Sequence, residues 1–346
     1  MKKEKLLHST KIQQMIAQYK HDMQLVDQLT ADAEPHYEIE QELYKKYEVK
    51  RGLRDLDGKG VRAGLTTISK VSATQIVDGR EVPAAGQLLY RGIPIEQLVQ
   101  GFITHDRFGF EEIVYLLLMG HLPKADQLAQ FKGLLTDYQE LPNHFNSGVI
   151  MKMPSDNIMN TMAKCVLALH AYDPKPDDTS LPNVMRQCIQ LVSQFPSLAV
   201  FGYQASMYFR NDRSMFIQKP DPKLSIAENI LYMMRPDGKY TRLEAKLLDL
   251  CLVLHAEHGG GNNSAFTVHV VSSSGTDTYS TVAAALGSLK GPKHGGANIK
   301  VMEMFEDLKQ HCPDWEDEDA LREYLKGLLR GEGFDHYHHS QRIQGF

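Results

Sequence analysis

Two capping boxes stand in close succession in this chain, Ser225-x-x-Glu228 ahead of "ILYMMR" and Thr241-x-x-Glu244 ahead of "AKLLDLCLVLHAE". In such a box the hydroxyl accepts the N–H three residues on, and the glutamate reaches back to the N–H of the capping residue. Two helix starts are therefore fixed by local chemistry alone. Beyond residue 93 similar punctuation recurs. "FGFEEIVYLLLMG" runs into Gly120 with Pro123 just beyond, a helix stop. Ser155 to Tyr172 reads as a helix opened by a serine cap. "LPNVMRQCIQLVSQF" reads as a helix closed before Pro196, because an interior proline removes a backbone donor. "TDTYSTVAAALGSLK" stops at Gly291-Pro292, and a further helix carries Ile299, Met302, Phe305 and Leu308. A succession of punctuated helices predicts a mostly helical globular enzyme.

One small β element is expected within residues 51–92. "TTISKVSATQIVDGREVPAAGQLLYRG" is rich in Thr, Val, Ile and Gly, and Asp78-Gly79 is a hairpin turn signal. Residues 1–50 read as a charged helical arm. Ile12, Met15, Ile16, Tyr19, Met23 and Val26 recur at helical spacing, Pro35 interrupts, and a second piece spans 38–47. In the helix begun at Thr241, Leu243, Leu247, Leu250 and Leu254 form one stripe that Leu248 and Leu252 widen. That girth of leucine predicts a buried helix.

Composition removes several classes of function. The 346 residues are 42% hydrophobic and 23% charged, enough for a sizeable core in two domains or one large one. A formal charge of -5 argues against nucleic acid as a partner, while leaving a local basic pocket open. Cys165, Cys188, Cys251 and Cys312 form no C-x-x-C pair and read as small buried hydrophobes in a reducing compartment. "MKKEKLLHSTKIQQ" has no apolar run behind its basic residues, and no stretch approaches membrane-spanning length. A cytoplasmic protein with no membrane partner is the expectation.

Two stretches could carry chemistry. In "LHAEHGGGNNSAF", His255 and His258 are spaced to share a helix face, and the three glycines after them admit close approach of a ligand or of backbone. Asn262, Asn263 and Ser264 add neutral hydrogen-bonding groups. In "GPKHGGAN", His294 sits in a turn just before a helix N-terminus, whose field disfavours an imidazolium. A neutral imidazole can donate one hydrogen bond to a developing enolate oxygen. A structural reading stands beside this: helix-capping histidines and a turn histidine. No metal is expected, since H-E-x-x-H is absent; G-x-S-x-G and G-x-x-x-x-G-K-[ST] are absent too. Together the stretches suit a small oxygen-rich anion with proton chemistry beside a carbonyl.

"LHAEHGGGNNSAF" followed by "AAALGSLKGPKHGGAN" resembles the citrate synthase family, as do "YRGIPIEQL" and "FEEIVYLLLMGHLP". The resemblance runs from about residue 50 to about residue 334. It implies a homodimer, almost wholly α-helical, with a large helical domain over 51–293 and a small one beginning at 294. It implies condensation of acetyl-CoA with oxaloacetate to citrate at entry to the tricarboxylic acid cycle, with no cofactor besides the acetyl-CoA substrate. By the family pattern His255, His258 and Asn262 contact oxaloacetate, and His294 holds the thioester carbonyl as acetyl-CoA becomes an enol. A 2-methylcitrate synthase, using propionyl-CoA, is a variant of the same reading.

After "LRGEGFD" the chain departs from the family pattern. The family continues to a GFGH-x-V-Y loop, a D-P-R and a later catalytic aspartate, whereas residues 335–346 read "DHYHHSQRIQGF". His336, His338 and His339 do not match the family loop, and the segment reads as a polar tail. The expectation is an incomplete small domain over 294–334 and impaired turnover, as after a frameshift or premature stop. The alternative is a catalytically inactive paralogue that binds a dicarboxylate or assembles with a relative.

Overall fold

The computed structural model describes residues 66–330 except Lys293, together with 40–48, Lys50 and scattered positions between 13 and 31. The chain divides into two units, Met1–Val61 and Arg62–Phe346. In the first, the described positions between 13 and 31 are helical, and a short helix α1 (Gln41–Lys46) follows. Of the expected apolar stripe, Met23 is helical and exposed. Ile12, Met15, Ile16, Tyr19 and Val26 lie outside the described residues, as does the tail after Arg330 with its three histidines.

The second unit opens with the expected hairpin. Strand β1 (Ser69–Val77) pairs antiparallel with β2 (Arg80–Tyr90), and a two-residue β3 (Ile93–Pro94) pairs with the end of β2. Asp78 and Gly79 both lie at positive φ, 51° and 75°, as a two-residue hairpin turn of matching twist requires. Helices then take over: α2 (Ile95–Thr104), α3 (Phe110–Met119), α4 (Ala125–Tyr138), α5 (Ile158–Leu169), α6 (Leu181–Arg210), α7 (Ile226–Met234), α8 (Arg242–Leu254), α9 (Asn263–Ser272), α10 (Thr278–Leu289), α11 (Ala297–His311) and α12 (Glu318–Arg330). The fold is all-α with a small three-stranded sheet. No helix among the described residues is long and apolar enough to cross a membrane.

The capping boxes form as written. Ser225 and Thr241 each accept the N–H of the glutamate three residues on, and each glutamate reaches back. Gly120 ends α3 as expected. The cap of α5 is Asn157, which accepts from Asn160 N–H; Ser155 instead accepts from Asn157 N–H, so the helix starts later than the sequence suggested.

The largest core packs α5, α6 and α10 through Met162, Cys165, Val166, Leu198, Phe201 and Leu286. Each such apolar side chain contributes about 1.5–3 kcal/mol when fully buried. This burial explains why α6 runs straight through Pro196 to Arg210, where the sequence predicted an end. An interior proline costs about 3 kcal/mol. Residues on its far side, Leu198, Val200, Phe201 and Ala205, are all buried, and together they outweigh that loss.

Helix α8 is not the buried helix that its leucines predicted. Leu243, Leu247 and Leu254 are 68%, 54% and 42% exposed, and Cys251 is exposed as well. The helix packs instead through the row Ala245, Asp249 and Val253, which faces α3 and α7. Asp249 earns its burial by accepting the N–H groups of Gly109 at 2.7 Å and Phe110 at 3.1 Å, at the start of α3. Small and hydrogen-bonding side chains permit that close approach; leucine would not.

Candidate active site

The C-terminal end of α8 is tied to the hairpin by one side chain. Tyr90, fully buried at the end of β2, donates its hydroxyl to Val253 O at 2.9 Å and accepts the Glu257 N–H at 3.2 Å. Beside it, Ser69 at the start of β1 donates to Glu257 Oε1 at 3.0 Å. That same oxygen accepts the backbone N–H of His258 at 3.1 Å and of Gly259 at 2.6 Å. Glu257 thus folds the glycine loop around its own carboxylate. It escaped the sequence reading, although a lone acid beside three glycines offers this signal: a carboxylate next to sterically open backbone donors.

Helix α8 stops at Leu254, so the argument that His255 and His258 share a helix face does not apply. His255 is the C-cap, and its Nδ1–H donates to Cys251 O at 2.7 Å. In the neutral ring this leaves Nε2 as an acceptor. His258 lies beyond the helix in irregular backbone, and both rings are exposed. Asn262 caps α9. Its Oδ1 accepts from Ala265 N–H at 2.8 Å and its Nδ2 donates to Gly259 O at 2.9 Å, so this carboxamide closes the loop onto the next helix.

His294 sits where the sequence put it, in the turn between α10 and α11. The turn is tight enough to specify its glycines. A Cβ on Gly295 would lie 2.2 Å from Leu289 O, and one on Gly296 2.5 Å from Pro292 O. The ring is half-buried, and its Nε2 lies 2.8 Å from Ser264 Oγ, which is also within 3.1 Å of Ala285 O. Burial, and then the nearby charge of His258, push the His294 imidazole below its ordinary pKa. The neutral ring expected from the sequence follows, although its leading cause is burial and not the helix field.

One serine hydroxyl cannot donate to both neighbours. Either it donates to Ala285 O and accepts from His294 Nε2–H, or it donates to Nε2 and leaves Nδ1–H as the outward donor. Only the second arrangement presents an N–H to an oxygen that gains negative charge. The structure therefore brings His258, His294 and Ser264 together beside the Glu257 loop, with His255 at the helix end. Elsewhere, among the described residues, ligand atoms of His170, Asp177 and Asp277 lie within 4.8 Å of one another. His170 and Asp177 already pair at 3.1 Å, and Asp277 caps α10.

Known proteins resemble this chain over most of its described length. Residues 53–346 match the family described as citrate synthase, C-terminal domain. A citrate synthase of Acidithiobacillus ferridurans is 37% identical over 248 residues, covering 69% of this chain and 59% of that protein. The 2-methylcitrate synthase 1 of Corynebacterium glutamicum is 32% identical over 275 residues, covering 78% of this chain and 65% of that one. The crystal structure of citrate synthase from Pyrobaculum aerophilum superposes with a TM-score of 0.61 at 30% identity, covering 76% of this chain and 60% of that one. The chain spans less than two thirds of the length of each.

Proposed function

The chain belongs to the citrate synthase family of acyltransferases, and from that premise we propose that it condenses acetyl-CoA with oxaloacetate to give citrate and CoA. One observation carries this reading: a neutral, half-buried His294 whose Nε2 is held by Ser264, beside the exposed His258. In this reading Ser264 donates to Nε2, and the Nδ1–H of His294 supports the thioester oxygen as the acetyl group enolises. A neutral donor suits this step because it stabilises the oxygen without first surrendering a proton. His255 and His258 face oxaloacetate: a carboxylate of the substrate accepts from a ring N–H of His258, and His255, whose Nδ1–H goes to Cys251 O, lies beside it at the helix end. Asn262 serves the same substrate by holding the loop that presents them. The reading includes a cytoplasmic homodimer that needs no cofactor beyond its substrates.

A second reading has an observation of its own. A 2-methylcitrate synthase is among the relatives at 32% identity, and propionyl-CoA differs from acetyl-CoA by one methylene. Such a difference is worth about 1–3 kcal/mol of discrimination in a fitted pocket. The test measures CoA release with oxaloacetate and either thioester, together with oxaloacetate binding by calorimetry. The expected result is release that requires both substrates and is faster with acetyl-CoA, and binding that weakens in His258→Ala. Release that ignores oxaloacetate, or that survives His294→Ala, would overturn the assignment.

A further inference from the structure

The two loop histidines that face the proposed substrates are held in place by different means. The His258 ring is exposed and has no hydrogen bond to another described residue, and its backbone lies beyond the end of α8. Its backbone N–H donates to Glu257 Oε1 at 3.1 Å. A group that must be ordered as the ligand arrives costs affinity, so whatever fixes this backbone beforehand favours binding.

That support comes from the hairpin, 188 residues earlier in the chain. Glu257 is gripped there at two points: its N–H donates to the Tyr90 hydroxyl at 3.2 Å, and its Oε1 accepts the Ser69 hydroxyl at 3.0 Å. Of the two, Tyr90 also binds the last carbonyls of α8, whereas Ser69 touches only the carboxylate that gathers the N–H groups of His258 and Gly259. The base of the hairpin is anchored in turn, since Arg91 donates its Nε–H to Leu117 O of α3 at 3.1 Å. Val71 shares the strand face of Ser69, and its Cγ2 lies 3.7 Å from where a Cβ on Gly259 would stand. His294 is supported by another route, the glycine turn after α10 and the Ser264 hydroxyl of α9. Among the described residues no hydrogen bond joins that turn or Ser264 to the hairpin.

We propose that Ser69 is a positioning residue for oxaloacetate. Acting through the Glu257 carboxylate, it holds the His258 backbone in the pose that binds a dicarboxylate. It therefore sets affinity for that one substrate and not the rate of enolisation at His294. The inference rests on the condensation reading and adds to it an element, the hairpin, that governs one of the two substrates alone.

The test compares the 346-residue chain with Ser69→Ala and Ser69→Thr. CoA release gives KM and kcat, calorimetry gives oxaloacetate affinity, and hydrogen exchange follows the Gly259 amide with no substrate present. Ser69→Ala is expected to raise KM and Kd for oxaloacetate at least about five-fold, with kcat and the KM for acetyl-CoA within about two-fold of the unmodified chain. The Gly259 amide should exchange at least about five-fold faster in the same variant. Ser69→Thr keeps the hydroxyl in a residue suited to a strand, and is expected to restore both quantities. Unchanged oxaloacetate affinity in Ser69→Ala, a loss carried by kcat, unchanged Gly259 exchange, or a threonine variant as weak as the alanine one would each overturn the proposal. If the unmodified chain binds no oxaloacetate, the condensation reading and this proposal fall together. If it binds oxaloacetate and Ser69→Ala binds it equally well, this proposal falls alone.

Discussion

At the N-terminal end of α10, Tyr279 donates to Asp173 Oδ2 at 2.6 Å, and Arg186 Nη2 lies 2.7 Å from both oxygens of that carboxylate. Past the C-terminal end of the same helix, His294 has one serine for a partner, and nearby His258, like His255 at the end of α8, stands exposed. The Asp173 side chain has no exposure at all. Burial alone would raise its carboxyl, but Arg186, Tyr279, the Lys175 N–H and Gln187 outweigh that and hold it down at about 2. At His294 no charge arrives to offset burial, and the ring stays neutral. One end of the helix surrounds its carboxylate with donors from within the chain, leaving only the Gln187 Oε1 of that network without a partner among the described residues. The other leaves ring nitrogens open. The first arrangement builds structure, and the second is available to a ligand.

Breaking the closed end should produce the largest effect. Asp173→Ala leaves Arg186 and three further donors facing a buried gap, and is expected to lower stability by about 3–5 kcal/mol, toward the lower figure because Arg186 is partly exposed. Urea denaturation measures it; a loss under 1 kcal/mol would mean the network is replaceable. At the open end, His294→Ala is expected to lower the rate of CoA release by about 10²–10³-fold with little change in melting temperature. Equal damage to both quantities would erase the distinction between the two ends.

The closed end also sets a pH dependence. The folded value of Asp173 lies below the usual carboxylate range, so its contribution is complete above the unfolded value and is lost as pH falls toward the folded one. Between about pH 6 and about pH 2 the unmodified chain is expected to lose about 2 kcal/mol more stability than Asp173→Asn. Parallel losses in the two urea series would place the acid sensitivity elsewhere. The smallest effect belongs to Ser264→Ala. Removing one neutral hydrogen bond is worth about 1 kcal/mol, so turnover should fall roughly five- to ten-fold. Nitrogen chemical shifts of the His294 ring should then show a changed tautomer mixture, which a purely structural serine would not cause.

What the sequence disclosed was what its own neighbours decide. The boxes at Ser225 and Thr241 and the turn at Asp78-Gly79 are closed by atoms within a few residues, and they appear where expected. The turn that holds His294 is equally local, since its glycines are dictated by Leu289 and Pro292. Pro196 and the α8 leucines misled because their outcome depends on which distant surface they meet. The shared face of His255 and His258 failed because α8 ends at Leu254, where Tyr90, far back in the chain, takes the last carbonyls. Asp173, Arg186 and Tyr279 carry no joint signature, since nothing in their spacing announces that they meet.

Ser69 and Tyr90 are directly paired in the hairpin, and both touch Glu257. Side chains in a strand alternate between its faces, so this contact depends on parity. One residue inserted between the turn and either partner, without a compensating bulge, would turn one of the two away from Glu257. The irregularity already present between Ser72 and Thr74 shows that the count is adjusted within the hairpin. A ribbon that contributes no histidine thus acts as a counting device, and its tally is read at the loop where the histidines stand.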